Sequence, residues 1–155
     1  MRFGLIGCGS IGSAVVKAVA GGCLPGLELV GIADLAVMDA AAKLATSVDC
    51  PFFADVPALL KVKPDLVLEA ASADAVRAFA DDIFECGADL MIVSVGALAD
   101  PEFFERLIEL AKQKGRRIYV PSGAIGGLDI IKAAVSGGLE ECRLTTTKSP
   151  RALNG

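Results

Sequence analysis

Residues 3–12 read Phe3-Gly4-Leu5-Ile6-Gly7-Cys8-Gly9-Ser10-Ile11-Gly12. A short apolar run meets three glycines spaced G-x-G-x-x-G. Ile11, Ala14, Val15, Ala18 and Val19 then recur at helical spacing until Gly21-Gly22 stops them. The order is strand, tight turn, helix. Gly7 suits the turn. Gly9 lacks a Cβ, so a ligand can approach the backbone. Gly12 lets the helix pack close to the strand.

The start of such a helix offers unpaired N–H groups and a partial positive charge to an anion. The next strand pattern, Leu27 to Ala33, ends at Asp34, 22 residues past Gly12. An acid there accepts hydrogen bonds from the ribose hydroxyls of a dinucleotide. Its charge also repels a 2′-phosphate, and no arginine follows closely. NAD is therefore the expected cofactor, with NADP the disfavoured alternative. The bland reading of Asp34 is a helix cap or a solvated loop acid. Cys8 reads as a small space-filler in the turn rather than a reactive thiol.

The rest of the chain keeps alternating. Helical patterns cover Val37–Thr46, Val56–Val62, Asp74–Cys86, Asp100 onward to Gly115, and Gly126–Val135. Strand patterns cover Pro51–Ala54, Leu66–Leu68, Leu90–Val95 and Arg117–Val120. Strands separated by helices imply right-handed crossovers. The expected fold class is α/β: a Rossmann-type, doubly wound, mostly parallel sheet of six strands before residue 121. Residues 1–138 would form the dinucleotide-binding domain. Residues 139–155 would start a second, truncated α/β domain, with Glu141–Lys148 as its first strand. A lone strand is not stable, so it would pair with a partner or join two copies into a homo-oligomer.

Length and composition set bounds. A chain of 155 residues, 54% hydrophobic and 22% charged, suits one compact core. The net charge of −4 comes without a basic stripe, which argues against nucleic acid. No run of 18 apolar residues suggests a membrane span, and the N-terminus reaches glycine too soon for a secretory signal. The cytoplasm is the expected location. Five cysteines without a CxxC pair support neither zinc nor a disulfide framework. Histidine, the commonest general acid–base, is absent.

Three further loops follow strand ends, where ligands bind in open α/β sheets. They are Glu69-Ala70-Ala71-Ser72, Ser94-Val95-Gly96-Ala97 and Pro121-Ser122-Gly123-Ala124-Ile125-Gly126-Gly127. Their small residues let the backbone reach a flat ring such as nicotinamide. Ala70, Ala71, Ser94, Val95, Gly96, Ser122, Gly123 and Ala124 join Gly7, Gly9, Ser10, Ile11, Gly12 and Asp34 as candidate cofactor residues. Plain tight turns explain Ala70 and Ala71 equally well.

These segments, with Leu128-Asp129 and the closing Thr145-Thr146-Thr147-Lys148-Ser149-Pro150, resemble the L-aspartate dehydrogenase family. The resemblance implies NAD(P)-dependent oxidative deamination of L-aspartate to iminoaspartate, feeding NAD biosynthesis. It places Ala124 at the nicotinamide end. It also implies a catalytic histidine in a further domain, which has no position here. No catalytic residue is assigned: Lys132, Lys148 and Asp129 read as solvated or helix-start charges. The chain is expected to bind NAD with little or no turnover. Two alternatives stand beside this. One is a non-catalytic nucleotide-binding module or subunit. The other is an oxidoreductase like homoserine dehydrogenase or dihydrodipicolinate reductase.

Overall fold

The computed structural model describes residues 1–122 and 128–143, together with Thr145 and Thr147. The chain divides into two units, Met1–Pro121 and Ser122–Gly155.

In the first unit, strands β1 (Arg2–Ile6), β2 (Glu28–Ala33), β3 (Phe52–Phe53), β4 (Leu66–Glu69), β5 (Asp89–Ile92) and β6 (Ile118–Tyr119) alternate with helices. These are α1 (Ser10–Ala20), α2 (Met38–Ser47), α3 (Val56–Leu60), α4 (Ala73–Glu85) and α5 (Pro101–Lys114). A 3₁₀ turn covers Val95–Ala99. Local chemistry sets the helix ends. The Asp100 carboxylate accepts the Glu102 and Phe103 N–H groups at the start of α5, where Pro101 needs no acceptor. Gly115 closes the helix in the left-handed region, φ 63°.

The strands lie in the order β3-β2-β1-β4-β5-β6. Every neighbouring pair is parallel, so the mostly parallel sheet of the sequence reading is here parallel throughout. This is the doubly wound Rossmann-type arrangement. Its strand order reverses between β1 and β4, and the turns leaving those two strands open a crevice at the carboxyl edge.

The core forms two clusters. Leu5, Val16, Ile32, Ala41 and Ala45 pack in the cluster that holds α1 and α2 residues. Val67, Ile83, Phe84, Leu90 and Leu107 pack in the cluster of α3, α4 and α5. Gly4 and Gly31 sit side by side in β1 and β2, and fully buried Leu59 rests on them. A Cβ at Gly31 would come within 2.6 Å of a Leu59 methyl. The bare backbone makes room for a side chain whose burial contributes about 1.5–3 kcal/mol.

The second unit contains α6 (Leu128–Ser136). The Leu139 N–H returns to the Ala134 carbonyl, and Gly138 takes φ 91° at the exit. The expected strand over 141–148 does not form at Glu141–Arg143, Thr145 or Thr147. A strand exists only through its ladder, and those residues have none. The other residues of that stretch lie outside the described set. The strand expected to run to Val95 stops at Ile92, for a reason that belongs to the site. Among the described residues, no helix is long and apolar enough to cross a membrane.

Candidate cofactor site

The three glycines of the β1–α1 turn divide by what surrounds them. Gly7 adopts φ 96°, and its N–H reaches the Ala33 carbonyl at 2.9 Å. A Cβ there would lie 2.6 Å from the Ala70 oxygen. At Gly12 a Cβ would run into the Gly7 carbonyl oxygen. These two serve the close approach of α1, β1 and the β4 turn. At Gly9 a Cβ would meet nothing within 4 Å. The fold has no use for its bareness, and the open space beside it is free for a ligand.

Following the N–H groups sharpens this. A helix start leaves donors that need partners. In α2 the first turn carries Asp39, and in α3 Asp55 caps. In α4 the Ser72 hydroxyl caps and Asp74 follows. In α5 Asp100 caps and Glu102 follows. Only α1, of these five, has neither a capping side chain nor an acid in its first turn. The N–H groups of Gly9, Ser10, Ile11 and Gly12 find no acceptor among the described residues. They form the electropositive, unsatisfied end that a diphosphate suits.

Two buried carboxylates take up the donors on either side. Asp34, 7% exposed, closes β2. Its Oδ2 accepts the Cys8 N–H at 2.6 Å, and its Oδ1 accepts those of Ala36 and Val37 at 2.7 and 2.9 Å. A carboxylate has about four acceptor positions. Three are filled, and one on Oδ2 is left for a hydroxyl. Asp34 thus acts as a loop acid for three N–H groups and still presents an open acceptor position to the cleft. Glu69, 1% exposed, closes β4. Its Oε1 accepts the Ala71 and Ser72 N–H groups and the Ser94 hydroxyl at 2.8, 2.9 and 2.7 Å. Its Oε2 accepts the Ser94 N–H at 3.1 Å. This bond draws Ser94 out of the ladder, so β5 ends early. The sequence reading counted Glu69 only as part of a small-residue loop. An acid closing a strand at the carboxyl edge, as Asp34 does, was the signal that could have singled it out.

A cleft of about 480 Å³ opens beside the glycine turn, a size typical of small-molecule sites. Gly7, Gly9, Asp34, Ala70 and Ala71 line it, as do Leu35, Val37 and Phe79. Its walls are largely apolar. Among the described residues, Asp34 and Asp74 are its charged lining residues, and no lysine or arginine contributes. That suits a nucleoside with free ribose hydroxyls and opposes an added phosphate. Ser10, Ile11 and Gly12 lie in the adjoining first turn of α1. Ser94, Val95 and Gly96 do not line the cleft, and the Ser94 hydroxyl is held by Glu69. Ser122 is exposed in the second unit; Gly123 and Ala124 lie outside the described residues. The Cys8 thiol is pushed up to about 11, by burial first, then by the Asp34 carboxylate and by Cys50. It stays a neutral spacer at pH 7. No group of metal-binding side chains occurs among the described residues.

Known proteins resemble this chain in sequence and in fold. The L-aspartate dehydrogenase of Methanocaldococcus jannaschii is 42% identical over 153 residues, covering 99% of this chain and 57% of its own length. That of Methanothermobacter thermautotrophicus is 43% identical, covering 99% and 58%. The chain thus spans less than two thirds of these relatives. The WlbA dehydrogenase from Bordetella pertussis, solved with NADH and UDP-GlcNAcA, superposes with a TM-score of 0.71 at 22% identity. The match covers 89% of this chain and 43% of that one. The UDP-N-acetylglucosamine 3-dehydrogenase GnnA from Acidithiobacillus ferrooxidans gives 0.68 at 24%, with the same coverage. At those identities the shared property is the fold. Residues 7–121, from the first glycine of the turn to the end of the first unit, match one family along their whole length: the chain belongs to the family of the homoserine dehydrogenase NAD-binding domain.

Proposed function

We propose that this chain is the cofactor-binding part of an NAD-dependent L-aspartate dehydrogenase, which deaminates L-aspartate oxidatively to iminoaspartate. The observation that carries the cofactor half of the reading is the uncapped start of α1 beside a cleft that Asp34 rims. The substrate half rests on the relatives named L-aspartate dehydrogenase at 42 and 43% identity. A second reading, oxidation of L-homoserine, is favoured by the description of the family that residues 7–121 match.

NAD, when bound, supplies the acceptor for the hydride that leaves the substrate carbon bearing the amino group. The residues of this chain do the holding. The N–H groups of Gly9, Ser10 and Ile11 take the diphosphate. The free Oδ2 position of Asp34 takes a ribose hydroxyl, and its charge selects against NADP. The Ala70-Ala71 turn walls the cleft. With no histidine in the 155 residues, proton handling at the substrate nitrogen has no imidazole here. The chain by itself binds NAD with little or no turnover. In this reading residues 1–138 form the cofactor domain and 139–155 begin a substrate domain. Five free thiols suit a reducing cytoplasm.

Fluorescence titration with NADH tests the cofactor half, and saturable binding tighter than that of NADPH is expected. An assay of the purified chain with NAD and either L-aspartate or L-homoserine tests the rest. A lack of NADH binding overturns the reading. Robust turnover of either amino acid overturns the assignment of binding without catalysis.

A further inference from the structure

Building on that cofactor reading, we infer that Glu69 is a positioning residue for the nicotinamide half of the dinucleotide. The topology sets the geometry. A diphosphate resting on the start of α1 sits at the end of β1. The cleft straddles that end: Asp34, Leu35 and Val37 line its β2 side and Ala70, Ala71 and Ser72 its β4 side. With one ribose at Asp34, the other nucleoside extends to the far side of the β4 turn. Beyond that turn lies the end of β5, since β4 and β5 follow β1 in that order in the sheet.

The turn after β4 and the turn after β5 are the surfaces such a ring would rest against, and Glu69 ties them together. Its Oε1 gathers Ala71 and Ser72 of the first turn, and both oxygens hold Ser94 of the second. It accepts four donors, three of them on Oε1, and the residue is buried at 1% exposure. It does not line the cleft. Glu69 therefore acts through the two turns and touches no ligand. A tie of this kind fixes the relative position of two short segments, and reactive geometry depends on such placement to within about half an ångström.

Glu69→Gln isolates this role. The amide oxygen keeps the acceptor for Ala71 and Ser72. The amide nitrogen then faces the Ser94 N–H, donor against donor, so one of the two bonds to Ser94 is lost and the link to β5 is weakened, while the amide oxygen still holds the β4 turn and the Ser94 hydroxyl. Two ligands separate the halves: ADP-ribose, which lacks the ring, measured by calorimetry, and NADH, measured by nicotinamide fluorescence. NADH affinity should fall about tenfold, and the fluorescence of the bound ring should change. ADP-ribose affinity should stay within about twofold, because the amide oxygen still holds Ala71 and Ser72 where they line the cleft and α1 is untouched.

Equal losses for both ligands, or no loss for either, would overturn the inference and leave the cofactor reading standing. Failure of the unaltered chain to bind either ligand would overturn both. Should Glu69→Gln not fold, Ser94→Ala carries the test. It removes one hydroxyl donor and keeps the Ser94 N–H bond, so NADH should weaken about threefold with ADP-ribose unchanged.

Discussion

Asp34 and Glu69 close the two strands that flank β1, and both are buried carboxylates gathering N–H groups from the turns that follow. They differ in what is left over. Asp34 receives three donors, lines the cleft and keeps one acceptor position. Glu69 receives four donors and has no place in the cleft lining. In the proposed reading one arrangement ends in a group that reads the ligand and the other in a joint. The contrast also explains why the start of α1 keeps unpaired donors. The donors around it are already claimed by these two acids, and the first turn of α1 is what they leave free.

The contrast should show first in stability. Glu69→Ala strands four donors gathered on a side chain that is 1% exposed, and about 3–5 kcal/mol should be lost. Asp34→Ala strands three beside an open cleft, where water replaces much of the bonding. About 1–2 kcal/mol is expected there. Urea unfolding of the two variants measures both. An Asp34 loss equal to or larger than that of Glu69 would break the distinction between joint and reader.

The sequence disclosed what is local. The helix from Pro101 to Lys114 was legible because its cap, its proline and its closing glycine are neighbours in the chain. The glycine turn was legible for the same reason, and Asp34 could be placed because a βα unit fixes its distance from Gly12. The Glu69–Ser94 bond spans 25 residues and arises only once β4 and β5 pair. Nothing near either residue announces it. The shortening of β5 and the turn of the Ser94 hydroxyl toward Glu69 follow from that bond, so they were hidden too. The division of labour among the glycines, with Gly12 pressed on Gly7 and Gly9 open, required the packed helix to be seen.

In binding, Gly9 and Asp34 set the scale for what a reader is worth. Gly9→Val adds atoms to open space, so the melting temperature should hold. NADH affinity should drop at least about 100-fold as the side chain fills the approach to the amides. An unchanged affinity would show that the open space at Gly9 faces no diphosphate. Asp34→Ser should weaken NADH about tenfold. It should also narrow the margin over NADPH, because the repelling charge is gone. Calorimetry with both nucleotides reads the two effects. A margin that widens would remove Asp34 from cofactor selection.

The smallest expected effect is on a thiol that no ligand touches. Cys8 and Cys50 are each pushed up to about 11, but the Asp34 charge contributes only at Cys8, where burial is still the larger cause. Thiol reagents attack the thiolate. In Asp34→Ser the Cys8 pKa should come down part of the way, and its labelling rate at pH 8 should rise about two- to fivefold. Cys50 should not respond, and exposed Cys23 serves as the fast reference. Glu69→Gln should leave the Cys8 rate alone, since its hydrogen bonds run to the β4 and β5 turns. The same shift fixes the alkaline behaviour. An unfolded thiol titrates near 9.0 and the folded Cys8 near 11. The unfolded chain therefore gives up its proton first, and stability falls as the pH climbs from about 9 to about 11. That fall should be shallower in Asp34→Ser. An identical pH dependence in both proteins would show that the carboxylate touching the Cys8 amide does not reach its sulfur.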